Sequence, residues 1–200
     1  MPTRTTEPGP TERGSARERL LTAASELFYE EGVHTVGIDR VIERAGVAKA
    51  SLYNVFGSKD ELVKAYLAGR HAITRDRITA GLARYGTARE RLIGVFEIQG
   101  KTFAKPGFRG CAFIGASSES PRPGGPVETA ADEYRSWIRT LFLDLAREAG
   151  APDPEVLAKQ LCLVYDGTVI SAWMDRDPTA AATSVAVVTA LVSAAIDLQP

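Results

Sequence analysis

The 200-residue chain is predicted to be all-α, with an N-terminal three-helix helix-turn-helix head joined to a six-helix body. Helix-start signals recur along its length, apolar residues follow them at intervals of three and four, and no alternating strand pattern or hairpin signal interrupts them. Ser15-Ala-Arg-Glu18, Ser58-Lys-Asp-Glu61 and Thr87-Ala-Arg-Glu90 each set a hydroxyl residue three positions before a glutamate. That spacing is a capping box, in which hydroxyl and carboxylate satisfy the free N–H groups of a first turn from both directions.

The elements follow in order. After Ser15, Leu20, Leu21, Ala24, Leu27 and Phe28 make one face of a helix that stops near Gly32. Ile38 to Ala45 forms a second, with Ile38, Val41, Ile42 and Ala45 as its buried stripe. Gly46 can take the left-handed conformation that ends a helix, and Val47 can plug the gap to the next. The third helix turns Leu52 and Phe56 inward and leaves Lys49, Ala50, Ser51, Tyr53 and Asn54 outward. A glycine-marked turn between two short helices of this kind is a helix-turn-helix, whose second helix fits a DNA major groove. From Ser58, Leu62, Val63, Tyr66 and Leu67 carry a fourth helix towards Leu82, and from Thr87 a fifth runs through Phe103 to Pro106-Gly107. Residues 109–120 hold Cys111-Ala-Phe-Ile, which between two helices is expected to be a short helix ending before Pro121, and Pro121 to Gly125 is expected to be a loop. The later helices begin with proline at the first helical position, at Gly125-Pro126, Asp153-Pro154 and Asp177-Pro178.

Charge narrows the function less than pattern does. Residues 1–80 carry 12 Lys+Arg against 11 Asp+Glu, so a whole-domain basic signature for nucleic acid is missing. Between Arg44 and Lys59, however, lie three bases and no acid. With 44% hydrophobic residues the chain can bury a sizeable core. No apolar run is expected to reach the length of a membrane span and the N-terminus has no signal-peptide core, so a cytoplasmic protein with no membrane partner is expected. Residues 1–14, rich in proline, glycine and charge, are expected to be a flexible arm, with Arg4 and Arg13 within reach of DNA. Cys111 and Cys162 lack metal-ligand spacing and are expected to be reduced core residues, and His34 and His71 are isolated. No metal, cofactor or enzymatic activity is expected, because no paired acid and base, metal cluster or phosphate loop is visible. Gly115-Ala-Ser-Ser-Glu119 lacks the closing glycine, the preceding strand and the downstream histidine of a nucleophile elbow.

The string A-G-V-A-K-A-S-L-Y-N-V-F-G-S-K-D-E-L, from Ala45 to Leu62, closely resembles the TetR/AcrR family of bacterial transcriptional regulators. The specific likeness covers roughly residues 15–66, and a weaker one in helix count and order runs to the C-terminus. The resemblance implies a DNA-binding domain over 15–57 and a ligand-binding and dimerisation domain over 58–200. Thr35 can cap the second helix and leave its free N–H groups near a phosphate. Lys49, Ala50 and Ser51 occupy the turn that reaches base edges, Tyr53 and Asn54 are placed for phosphate or base contact, and the resemblance assigns Lys59 to the DNA backbone. Three departures stand out: Val55 replaces a common phosphate-binding histidine, Ala48 a common capping serine, and Gly37 a polar residue in the first turn of the second helix.

In the body, aromatic and polar residues suit a pocket for a small, largely apolar ligand, with Phe96, Gln99, Phe103, Phe113, Ser117, Trp137, Tyr165 and Asp166 as its expected lining. Gly94, Gly100 and Gly115 would make room for it. The last two helices are apolar on more than one face, so a second subunit is the expected cover, met through Leu161, Thr168, Ala172, Val188, Leu191 and Ala195. The expected protein is a homodimeric repressor, released by its ligand from a palindromic operator in double-stranded DNA. The rival reading is a small-molecule binding protein with a vestigial head.

Overall fold

The computed structural model describes residues 14–119 and 123–197. The arm expected over 1–14 therefore lies outside the described residues except for Gly14, as does part of the loop expected at Pro121 to Gly125. Among the described residues there are nine helices and no strand: α1 (Ala16–Glu31), α2 (Ile38–Ala45), α3 (Lys49–Phe56), α4 (Lys59–Leu82), α5 (Ala88–Gly100), α6 (Ala112–Glu119), α7 (Pro126–Glu148), α8 (Pro154–Met174) and α9 (Ala180–Asp197).

The start signals act locally. Ser15 Oγ accepts the Glu18 N–H at 3.2 Å while the Glu18 carboxylate takes the Ser15 N–H at 2.8 Å, and Thr87 with Glu90 repeats the exchange at α5. At α4 the Ser58 hydroxyl takes the Glu61 N–H at 3.2 Å. Pro126 and Pro154 open α7 and α8, the latter capped by Asp153. Two boundaries differ from expectation. The last helix begins at Ala180, not at Pro178, because the Asp177 carboxylate captures both the N–H and the hydroxyl of Thr179 at 2.7 Å, a local turn that competes with the helix. The fifth ends at Gly100 and does not run through Phe103, because Thr102 and Phe103 fold back as tight turns onto the carbonyls of Gln99 and Gly100.

One continuous core holds the helices. Leu20, Phe28, Val41, Leu52 and Leu62 join α1 to α4, and Ile78, Phe96, Ile138, Phe142, Leu161 and Val188 carry it through α9. Burying each such side chain contributes about 1.5–3 kcal/mol before chain entropy is counted. α4 packs on α1 and α3 at its start and on α5, α6 and α7 further along, while α8 packs against α7 and α9, and α9 against α5. Two of the three glycines expected to open a pocket serve close packing. A Cβ at Gly94 would stand 2.6 Å from the Tyr85 ring and one at Gly100 would collide with Ala181, so both allow close packing, and Gly115 faces open space.

α9 corrects the expectation that no apolar run reaches spanning length. Its 18 residues have a mean hydropathy of 1.7, and only 22% of them are buried within the chain. At 1.5 Å per residue it extends about 27 Å, close to the thickness of a bilayer's hydrocarbon core. It nonetheless docks one side on α5 and α8, and its terminal Asp197 pairs with Arg89 of α5.

Candidate functional site

The α2–α3 unit presents a polar face. Gly46 adopts φ 62°, and its N–H and that of Val47 close back on the carbonyls of Glu43 and Ile42, so the chain reverses within two residues. Buried Leu52 and Phe56 fix the rotation of α3, which leaves Lys49, Ala50, Tyr53, Asn54 and Val55 exposed and Ser51 half-buried. Lys49 Nζ lies 2.9 Å from the Asp39 carboxylate, a hydrogen bond that raises the lysine's pKa. Lys59 is half-buried, its ammonium 3.5 Å from the His34 carbonyl and 6.0 Å from the Phe28 ring centroid, and burial pulls its pKa down.

Two readings of the head change. Thr35 does not cap α2: the N-cap is Gly37, extended at φ −77° and ψ 158° with no side-chain cap, and Thr35 stands exposed two residues upstream. Gly37 therefore precedes the first turn of α2 and does not lie within it. Ala48 occupies the N-cap of α3 with extended backbone and no side-chain hydrogen bond. Its φ and ψ already suit a capping residue, so Ala48→Ser is expected to raise stability by about 1 kcal/mol in urea unfolding. An unchanged midpoint would mean that the hydroxyl does not reach the Ser51 N–H.

A cavity of about 260 Å³ opens between α4, α7, α8 and the turns that follow α5. Gln99, Phe103, Phe113, Tyr165 and Asp166 line it as expected, and three expected members do not. Phe96 is fully buried below it, stacked on Phe142 with ring centroids 5.6 Å apart, because its position on α5 faces the core between α7 and α8. Trp137 faces away along α7 and packs on His71 at 5.4 Å, and Ser117 is exposed on the outer side of α6. Tyr134 stacks flat on Phe113 at 4.1 Å and meets the Tyr165 hydroxyl at 3.2 Å. Burial pushes Tyr165 up to about 12 and raises Tyr134. Asp166 forms an ion pair with Arg135, yet desolvation still raises its carboxyl. Cys111, in the wall, and Cys162 are free thiols whose pKa burial raises, which disfavours the reactive thiolate.

Contacts between head and cavity escape a reading by helical period, because they join distant turns. The Tyr29 hydroxyl of α1 donates to the Gly110 carbonyl at 3.0 Å and accepts the Arg109 N–H at 2.9 Å, and its ring lies 3.9 Å beneath the Arg70 guanidinium. Tyr29, Arg70, Arg77 and Lys105 all line the cavity. At the end of α6 the Glu119 carboxylate accepts the His34 N–H at 2.8 Å, close over Gly32, whose φ of 98° places the α1–α2 turn there.

Most of the residues expected to meet a second subunit are buried within this chain. Leu161, Thr168, Ala172 and Val188 point into the chain's own core and are 0–9% exposed, while Leu191 and Ala195 sit half-buried at its margin. The outward stripe of α8 is Val156, Leu163, Ile170 and Met174, at helical spacing, with Leu163 76% exposed, and Val187 is its exposed counterpart on α9.

Residues 20–66 match the family model described as bacterial regulatory proteins, tetR family. The structure resembles a TetR-family transcriptional regulator from Streptomyces coelicolor, with a TM-score of 0.85, 33% identity, and coverage of 90% of this chain and 95% of that one. The chain is also 24% identical over 163 residues to the HTH-type transcriptional regulator YjdC of Escherichia coli, covering 80% of this chain and 84% of that protein. It is 44% identical over 70 residues to the HTH-type transcriptional activator FasR of Mycolicibacterium smegmatis, 35% of this chain and 30% of that one. With a structural relative at 33% identity over 90% of this chain and 95% of that one, and the helix-turn-helix closed at Gly46, the chain belongs to the TetR family of bacterial transcriptional regulators.

Proposed function

We propose that the protein is a homodimeric, ligand-responsive repressor that binds a palindromic operator through α3 and is released when a small molecule enters the cavity. On this reading residues 15–57 are the DNA-binding domain and 58–200 the sensor and dimerisation domain, in the cytoplasm. The observation that carries it is α4, one unbroken helix whose first turns pack on the head and whose later turns wall the cavity. Ligand shifts such an element only by binding more tightly to one of its two positions. Leu163, Ile170 and Met174 would meet their two-fold copies, setting two α3 helices about 34 Å apart in successive major grooves.

A gel-shift series against the DNA upstream of the gene tests the reading, and failure to bind any inverted repeat there at low salt would sink it. Lys49, Ala50, Ser51, Tyr53 and Asn54 are the proposed DNA contacts on α3, with Lys59 on the backbone beside them. Lys49→Ala combined with Tyr53→Phe is expected to weaken operator binding about tenfold or more and to make its salt dependence shallower. In the free protein Lys49 is held by Asp39, so it must exchange that carboxylate for DNA. Undiminished affinity in the double variant would move the contact elsewhere on the head.

A further inference from the structure

On α4, Arg70 and Arg77 stand seven residues apart, on one stripe about 10 Å from each other, and Arg84 follows in the turn after the helix. Arg70 and Arg77 line the cavity with Thr74 between them, and Lys105 stands on its rim. A neighbouring groove shares Arg77, Thr102 and Lys105 with the cavity and adds Arg84 and Lys101. Among the described residues, none of Arg70, Arg77, Arg84 and Lys105 has a carboxylate at ion-pair distance. The acid in the wall, Asp166, is already matched by Arg135.

Arg70 and Arg77 are also short of acceptors, whereas Arg84 Nε donates to the Gly81 carbonyl at 3.0 Å. The Nε–H groups of Arg70 and Arg77 are buried without a hydrogen-bond partner, and Arg70 is compensated only by the faces of Tyr29 and Tyr66 and by the Tyr66 hydroxyl. A charged donor withdrawn from water and left unpaired destabilises the fold unless something else supplies the acceptor. Across the cavity, Gln99 Nε2 donates to the Tyr165 carbonyl at 2.9 Å, which fixes the amide's orientation and leaves Oε1 buried without a donor. Phe103, Phe108, Phe113 and Tyr134 give the cavity aromatic walls, with Ile73, Cys111 and Val169 among its other apolar lining. Unmet guanidinium donors, an unmet amide acceptor and aromatic walls describe the negative image of one molecule.

We infer that the ligand of this cavity is a small aromatic organic acid, its carboxylate held between Arg70 and Arg77 and a hydroxyl or N–H of the same molecule donating to Gln99 Oε1. This rests on the regulator reading and replaces its largely apolar ligand with an anionic one. A planar carboxylate matches the guanidinium fork, and the volume of about 260 Å³ suits one or two rings. Binding would also relieve repulsion between Arg70 and Arg77 on α4, the helix that joins the head to the cavity.

The test compares two probes that differ only in charge, 6-hydroxy-2-naphthoate and its carboxamide, by calorimetric titration of the full chain. The acid is expected to bind at least about tenfold more tightly, because a hydrogen bond to a charged group is stronger than one between neutral groups. The preference should shrink to about threefold or less in Arg77→Gln, a variant checked by circular dichroism for intact folding, and should weaken as sodium chloride rises from about 50 to about 500 mM. Should that variant fail to fold, Arg70→Lys, which keeps the charge but loses the fork, is expected to narrow the preference in the same direction. Equal affinity for acid and amide, binding of neither, or a preference that survives both substitutions overturns the inference. Operator binding by the ligand-free protein is scored separately, so its absence would strike the regulator reading and leave the anion site to be judged on the probe pair.

Discussion

Leu163→Asp is expected to split the proposed dimer and weaken operator binding by about 10²–10⁴-fold, the loss that follows when two linked half-site contacts become independent. Leu163 is 76% exposed near the middle of the outward stripe of α8, with Ile170 and Met174 about two and three turns further on. On a two-fold axis the same patch meets itself, so one substitution sets two carboxylates against each other in an apolar contact. The chain's own core is untouched, and helical content by circular dichroism should remain that of the parent. Light scattering reads the mass directly. An undiminished dimer would place the interface away from α8.

Two residues earlier the expectation reverses. Leu161 is fully buried within the core, so Leu161→Ala should cost about 2–5 kcal/mol through lost burial and a residual cavity. Urea unfolding of parent and variant at one protein concentration measures it, since association of subunits adds to apparent stability. A loss under about 1 kcal/mol would mean that the space collapses or that Leu161 is not where the packing places it. Together the two substitutions separate folding from assembly on a single helix.

That contrast also shows where a sequence is readable and where it is not. Ser15 with Glu18, Gly46 and Leu52 with Phe56 were legible because local chemistry decides them: a hydroxyl at an N-cap, a left-handed residue after a helix, an apolar stripe with polar flanks. On α8, Leu161 and Leu163 are the same residue type in a helix apolar nearly all round, and no local rule says which faces the chain's own core. The cavity divided in a similar way. Aromatics near the end of α5 and on α6 to α8 pointed to its neighbourhood, but Phe96, Trp137 and Ser117 turn elsewhere by rotations that tertiary packing sets. The seven-residue spacing of Arg70, Arg77 and Arg84 carries no meaning by itself, because only packing shows that among the described residues none of them has a carboxylate at ion-pair distance. Thr35 lost its expected cap because α2 begins later than a hydroxyl-based rule would place it, at a glycine.

Tyr29 bears on how this protein could be rebuilt. Its hydroxyl is tied at both lone pair and proton to Arg109 and Gly110, and its ring is clasped by Arg70, although it belongs to the first helix of the head. A cut between Gly57 and Ser58 therefore looks like a seam between modules but leaves one plank of the sensor's wall on the wrong side. If the proposed function holds, exchanging the head for that of a relative would transplant a new operator preference and, unless the incoming first helix carries a tyrosine in register, would lose the Tyr29 contacts that tie it to the cavity. On the proposed function, specificity for DNA and sensitivity to a small molecule would be inherited together.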